Sequence, residues 1–163
     1  MDRSKRVIFT SHCILNQNTV VYPLARAQGA YSEIIKTIMD KGIGIHQLPC
    51  PEYRHLGIER KPLSKSEYDT KEFRDLCKDI SQDAVNILKE YLHNDYEIIG
   101  LIGINQSPSC SIRDIRGILM EELLTLVESE GISLNTIDVS DKYRDGKDNK
   151  EFLEELETFL ETK

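Results

Sequence analysis

The chain has 163 residues, of which 39% are hydrophobic and 30% charged, and this length fits one domain and leaves no room for two. Its 28 acidic and 21 basic residues give a net charge of −7, which excludes a basic protein that coats nucleic acid. No run of residues approaches the roughly 20 apolar residues of a membrane span. The apolar part of the N-terminus, residues 7–9, is too short for a secretion signal, so we expect a cytoplasmic protein.

Short apolar strands alternate with amphipathic helices along the chain. In order, the pattern predicts a strand over residues 6–11, a helix over 31–41, a strand over 44–48, a helix from a cap at Ser66 or Asp69 to about residue 93, a strand over 96–102, a helix over 115–130, a strand over 132–139 and a helix over 151–161. The proline-containing segment 49–62 is predicted to be irregular. This alternation predicts a three-layer α/β fold, with a mostly parallel, Rossmann-like four-strand sheet and helices on both faces, as a single domain over residues 1–163.

Three of the four cysteines follow predicted strands. Cys13, Cys50 and Cys110 come after the first, second and third strand, whereas Cys77 lies within a predicted helix. The carboxyl ends of parallel strands meet at one edge of the sheet, where ligands bind in such folds. We therefore expect the first three thiols to converge and Cys77 to fill the core.

Three cysteines in loops allow several kinds of chemistry. They can bind zinc, or an iron–sulfur cluster that keeps one position open for a ligand. They can act as redox thiols or supply a nucleophile, or they can be small buried hydrophobic residues. The chain has no C-x-x-C pair, which argues against a zinc ribbon or a thioredoxin-type site. The residues alone leave these possibilities open.

The neighbours of the three cysteines form three short motifs, SHCIL at residues 11–15, LPCPE at 48–52 and SPSC at 107–110. In this order, each after a predicted strand, they resemble the thiouracil desulfidase (TudS-like) family, whose hallmarks are S-x-C-L-L, C-P-E and S-P-S-C motifs. The residues beyond the motifs depart from the family pattern: residues 16–18 read Asn-Gln-Asn instead of a glycine and a Tyr-Asp-Gly stretch, and Ser111 replaces a glycine. The resemblance therefore indicates a divergent branch, with intact cluster ligands and altered substrate-facing loops.

The resemblance implies a 4Fe-4S cluster as the cofactor, held by Cys13, Cys50 and Cys110. The fourth iron would bind the sulfur of a small thiolated substrate, such as a thiolated nucleobase, and non-redox C–S cleavage would move that sulfur to the cluster. Glu52 would then be the catalytic acid/base, and Ser107 would assist near the substrate. The implied enzyme is a desulfidase.

Two other functions share these residues. The first is a non-catalytic carrier of cluster-bound sulfide that serves a sulfurtransferase or a cluster-assembly partner, and the second is a zinc or thiol-redox protein. Neither membrane nor nucleic-acid binding is indicated. Because a residue before proline is disfavoured in helical geometry, Cys50 should be extended, with Glu52 on the same side of the chain. His12, His55 and Arg60 lie near the motifs without an assigned role.

Overall fold

A four-stranded, all-parallel sheet forms the centre of the protein. The computed structural model describes residues 1–162, so that residue 163 of the predicted domain lies outside the described residues. The strands are β1 (Arg6–Thr10), β2 (Gly44–Gln47), β3 (Glu97–Ile104) and β4 (Thr136–Val139), and they lie in the order β2-β1-β3-β4. The prediction of a parallel four-strand sheet is confirmed.

Residues 1–162 contain six α-helices besides the sheet. They are α1 (Ser32–Asp40), α2 (Pro51–Leu56), α3 (Lys65–Tyr68), α4 (Lys71–His93), α5 (Ile118–Ser129) and α6 (Lys150–Glu161). Helix α1 packs against α6, and α4 packs against α5. The chain moves outward from β1 to β2 and then returns across β1 to reach β3, so right-handed crossovers place these two helix pairs on opposite faces. The three-layer α/β architecture is therefore confirmed.

The order of the strands determines where a ligand site is expected. The connections that leave β1 and β3 run in opposite directions, so a crevice opens between the carboxyl ends of these two neighbouring strands. Strand β3 is buried from Ile99 to Ile104, as a central parallel strand should be. Strand β4 is shorter than predicted, because only Thr136–Val139 pairs with β3.

Three predicted boundaries near the motifs are wrong. The segment after Cys50 is not wholly irregular, since it contains α2, with Pro51 in the first turn, where a proline is well suited. The predicted helix from Ser66 or Asp69 is two helices, α3 and α4, whose N-caps are Ser64 and Thr70. Helix α5 begins at Ile118 and not at the predicted residue 115, because residues 105–117 form a loop around Cys110.

The hydrophobic core lies on both faces of the sheet. Strand residues such as Ile8 and Leu101 are fully buried, and so are Ile34 of α1, Phe73 of α4 and Leu119 of α5. Within residues 1–162, no helix is long and apolar enough to cross a membrane.

Candidate active site

A cavity of about 130 Å³ lies at the carboxyl edge of the sheet, beside the ends of β1 and β3. Three of the four cysteines contribute to its wall. The lining residues come mainly from the loops that follow β1, β2 and β3; they are His12, Cys13, Thr19, Val20, Val21, Leu24, Arg26, Tyr31, Cys50, Glu52, Arg60, Ile104, Asn105, Gln106, Ser107, Pro108 and Cys110. The topology of the sheet thus brings three distant parts of the sequence to one cavity.

Each of the three cysteines is positioned by a different local structure. Cys13 lies in a short 3-10 helix, His12–Ile14, directly after β1. Cys50 is the N-cap of α2, and its sulfur accepts a hydrogen bond from the backbone N–H of Tyr53 at 3.4 Å. Cys110 is buried in the loop before α5. All four cysteines are free thiols, and Cys77 lies in the core on α4 and does not line the cavity.

The Cys110 loop is held by hydrogen bonds to backbone N–H groups. The Ser107 hydroxyl oxygen accepts from the backbone of Cys110 at 3.0 Å and of Ser109 at 3.3 Å. Further along, the buried Asp138 carboxylate accepts from the backbone N–H groups of Ile112 and Arg113 at 2.8–3.1 Å. Because buried N–H groups are costly to leave unpaired, Ser107 and Asp138 fix the position of the Cys110 thiol.

The environment of the thiols keeps them protonated in the absence of a metal. Burial, with a smaller contribution from the neighbouring Cys50, raises the pKa of Cys13 to about 12. Burial also raises the pKa of Cys50, and it raises that of Cys110 well above the ordinary thiol value. Cys50 and Cys13 add to the rise of the pKa at Cys110. Such thiols would bind a metal only with loss of their protons.

Glu52 is the centre of a buried polar network on the cavity wall. One of its carboxylate oxygens accepts from the Ser109 hydroxyl at 2.7 Å, and the other accepts from the Tyr68 hydroxyl at 3.2 Å. The Arg60 Nε lies 3.5 Å from the same oxygen as Tyr68, with an Arg60 side chain that is only 3% exposed. The Arg60 Nη atoms donate to the carbonyl groups of Gly57 and Thr19. Glu52 therefore has a hydrogen-bond donor at each oxygen and a buried counter-ion.

The geometry around Glu52 corrects one expectation. Cys50 has the extended backbone that the following proline predicts, with φ −88° and ψ 113°. Glu52, however, lies in the first turn of α2, so the prediction that residues 50 and 52 share one side of an extended segment is wrong. Both residues nevertheless line the cavity, because the N-terminus of α2 points toward it.

The histidines differ in their relation to the cavity. His12 lines it, and burial lowers the pKa of its imidazole. His55 instead packs edge-on against Phe73, with the ring centroids 5.4 Å apart. His46 packs against Phe9 in the sheet. His12 is thus the histidine placed to meet a ligand in this cavity.

The three cavity thiols fit an iron–sulfur cluster better than a single metal ion. Within residues 1–162, no three His, Cys, Asp or Glu side chains are grouped so as to hold a single metal ion. An iron–sulfur cube spreads its thiolate ligands more widely, because each thiolate binds a different iron. Two buried hydroxyl groups at the end of β1, those of Thr10 and Ser11, have no hydrogen-bond partner in the described structure. Three free thiols and unpaired hydroxyl donors fit a cluster that carries acceptor sulfides.

Sequence reasoning missed several residues of this site. The local sequence places Arg60 near the second motif but carries no signal for its burial against Glu52. Tyr68 and Asp138 lie far from the motifs and read as ordinary helix and strand residues. Arg26, in the loop after β1, also lines the cavity. Only the Pro-Cys-Pro-Glu run hinted that a short helix would carry Glu52.

The fold and the site together define a parallel α/β protein with three cysteine thiols and a buried glutamate on the wall of a cavity at the carboxyl edge of the sheet. The chain is 43% identical over 158 residues to the uncharacterized protein MJ0003 of Methanocaldococcus jannaschii, a match that covers 97% of this chain and 99% of that protein. The chain belongs to the same protein family as MJ0003. No protein-family model matches the chain, and no solved structure matches it.

Proposed function

We propose that the protein is an iron–sulfur-dependent desulfidase that removes sulfur from a small thiolated compound, such as a thiolated nucleobase. One observation carries the proposal: Cys13, Cys50 and Cys110 line a single cavity together with a buried glutamate. The order and context of the three cysteine motifs, which resemble those of the thiouracil desulfidase family, support the same assignment. The protein would be a divergent member of that family.

The cofactor in this proposal is a 4Fe-4S cluster held by Cys13, Cys50 and Cys110. When bound, it would supply a soft Lewis acid for the sulfur of the substrate. The unpaired hydroxyl groups of Thr10 and Ser11 would find acceptors there. We also propose a cytoplasmic location, a compartment in which cysteine thiols stay reduced.

Glu52 acts as the general base. Ser109 and Tyr68 donate hydrogen bonds to its two oxygens, and the Arg60 guanidinium lies beside one of them, so the carboxyl group is held in one orientation on the cavity wall. Each carboxylate oxygen has a further lone pair and can take a proton from water. That water adds its oxygen to the thiocarbonyl carbon, the C–S bond breaks, and sulfur leaves at the sulfide level without a change in oxidation state.

The other walls of the cavity limit what can react. Val20, Val21, Ile104 and Pro108 form an apolar surface that keeps bulk water away from the reacting carbon. The Ser107 hydroxyl oxygen accepts two backbone N–H groups, which leaves its own proton free to donate into the cavity. Ser107 thus holds the Cys110 loop and orients a polar group of the substrate.

A second candidate function has one specific observation in its favour. Ser109, Tyr68 and Arg60 already surround Glu52, and a purely structural carboxylate would need nothing more. In that case the protein would carry cluster-bound sulfide to a sulfurtransferase or a cluster-assembly partner, and Glu52 would only maintain the cavity. The two functions therefore differ in whether Glu52 is needed for turnover.

The first experiment tests the cofactor. The wild type and the variants Cys13→Ser, Cys50→Ser, Cys110→Ser and Cys77→Ser are reconstituted anaerobically with iron and sulfide. We expect the first three variants to lose most of the bound iron and the cluster absorption, and Cys77→Ser to retain both, since Cys77 does not line the cavity. Equal iron content in all four variants would reject the cluster site.

The second experiment separates the enzyme from the carrier. Glu52→Gln preserves the shape of the side chain and all three cysteines, so its cluster content should match that of the wild type. Its desulfuration rate on a panel of thiolated bases should fall by about two to four orders of magnitude, the usual contribution of a general acid or base. Glu59→Gln, an exposed carboxylate in the same segment, is the control. A Glu52→Gln variant with a full cluster and an undiminished rate would contradict the base, and a wild type that holds a cluster but desulfurates nothing would favour the carrier.

A further inference from the structure

Arg26 is a cation on the cavity wall that lacks a carboxylate partner. In the described part of the chain, residues 1–162, no Asp or Glu oxygen lies within 4.0 Å of its guanidinium. Its Nη1 donates to the Ser140 carbonyl oxygen at 3.1 Å, and the guanidinium lies beside the Tyr31 hydroxyl. A guanidinium carries five N–H donors, so most of them have no protein acceptor.

The loops around Arg26 hold it in place. Its backbone N–H donates to the Gln17 side chain at 2.8 Å, and its carbonyl oxygen accepts from the backbone N–H of Asp145 at 3.0 Å. With the bond to Ser140, the residue is fixed by the loops after β1 and β4. A ligand that binds to Arg26 would therefore not need to order the loop, which favours tight binding.

The second arginine on the cavity wall has a different role. Arg60 lies beside Glu52, with its Nε 3.5 Å from a carboxylate oxygen, and its two Nη atoms donate to carbonyl groups, so that its charge is already paired. Glu52 and Arg60 balance each other, whereas Arg26 contributes an unbalanced positive charge. In a small cavity with apolar walls, such a charge attracts an anion more strongly than it would in open water.

We infer that the cavity takes a small thiolated compound that carries a carboxylate, and that Arg26 binds this carboxylate through paired N–H donors. The apolar residues Val20, Val21 and Leu24, from the same loop as Arg26, would contact the body of the molecule. The planar guanidinium matches a carboxylate in a two-point contact between opposite charges, and a neutral base lacks the negative charge. This inference rests on the proposed function, because it names the substrate class of the same site.

Binding of matched compounds tests the inference independently of turnover. Anaerobic titration calorimetry on the reconstituted protein compares uracil-6-carboxylate with uracil, and 3-mercaptopropionate with 3-mercaptopropanol. In each pair we expect the carboxylate to bind about 10- to 100-fold more tightly to the wild type, the size of a charge-assisted hydrogen-bond pair. Arg26→Gln should lose this preference, whereas Arg113→Gln, which removes an exposed cation paired with Glu155, should keep it.

Two results would overturn the inference. The first is equal affinity of the wild type for the charged and neutral members of both pairs. The second is an Arg26→Gln variant that keeps the preference but loses iron on reconstitution, since Arg26 would then serve the thiolates and not the substrate. Desulfuration is scored separately. Turnover of neutral 2-thiouracil without a preference for carboxylates supports the proposed function and rejects the inference. A preference for carboxylates that depends on Arg26, without any desulfuration, supports the anion site and rejects the desulfidase.

Discussion

Replacing Gly117 by alanine should displace the loop that carries Cys110. A Cβ atom at residue 117 would lie 2.2 Å from the carbonyl carbon of Ser109, 2.4 Å from its oxygen and 2.6 Å from the Cys110 nitrogen. All three are backbone atoms, so no side chain can rotate away to make room. Relief of the clash requires movement of the segment that supplies both the Ser109 hydroxyl bound to Glu52 and the Cys110 thiol.

The magnitude of the effect follows from two opposing terms. Gly117 has φ −72° and ψ 159°, which suit an alanine, so the smaller entropy of the unfolded chain would by itself stabilise the variant by about 0.4–1 kcal/mol. Overpacking of a close-packed site costs about 1–3 kcal/mol or more, and here it acts on rigid backbone. We expect a net loss near the upper part of that range, and a fall in Tm of roughly 2–4 °C for each kcal/mol lost.

Thermal unfolding followed by circular dichroism measures this loss, and iron content after anaerobic reconstitution measures the damage to the site. Gly29→Ala is the matched control, because a Cβ at residue 29 would meet nothing within 4 Å. It should be as stable as the wild type or slightly more stable, with unchanged iron content. A Gly117→Ala variant that behaves like Gly29→Ala would refute the claim that this close approach positions Cys110.

Three further predictions concern buried polar groups. Arg60→Met should destabilise the protein by about 3–5 kcal/mol because it leaves the Glu52 charge without a counter-ion, and the double variant with Glu52→Gln should regain part of that loss in chemical denaturation. Asp138→Ala should cost about 2–4 kcal/mol and lower iron uptake, since two backbone N–H groups lose a charged acceptor; Asp138→Asn, which keeps an acceptor oxygen, should be milder on both measures. Burial raises the pKa of Cys77 from 9.0 to about 12, so the folded state retains its proton where the unfolded chain releases it. The free energy of unfolding should therefore fall by up to about 1.4 kcal/mol per pH unit from this group as the pH rises through that interval, and a Cys77→Val variant should show a correspondingly flatter decline.

Much of the fold is determined by local patterns of the sequence. The apolar run around Leu101 predicted a central strand, and the spacing of apolar residues predicted the long helix α4. Alternation of strands and helices then restricts the topology to a parallel sheet, because crossover connections are right-handed. The same rule predicted that the loops carrying Cys13, Cys50 and Cys110 would share one edge of the sheet.

The partners of Glu52 depended on tertiary structure. Tyr68, Arg60 and Ser109 reach the carboxylate from three separate segments, and no periodicity or motif connects these segments in the sequence. A buried carboxylate is stable only with hydrogen-bond donors and a counter-charge around it. Which groups lie close enough to Glu52 to serve as these partners depends on how the whole chain folds. Local patterns along the chain are therefore enough to predict the fold class and the edge of the sheet at which the cysteines lie. Which charges pair depends on long-range packing, and that packing leaves Arg26 without a carboxylate partner among the described residues.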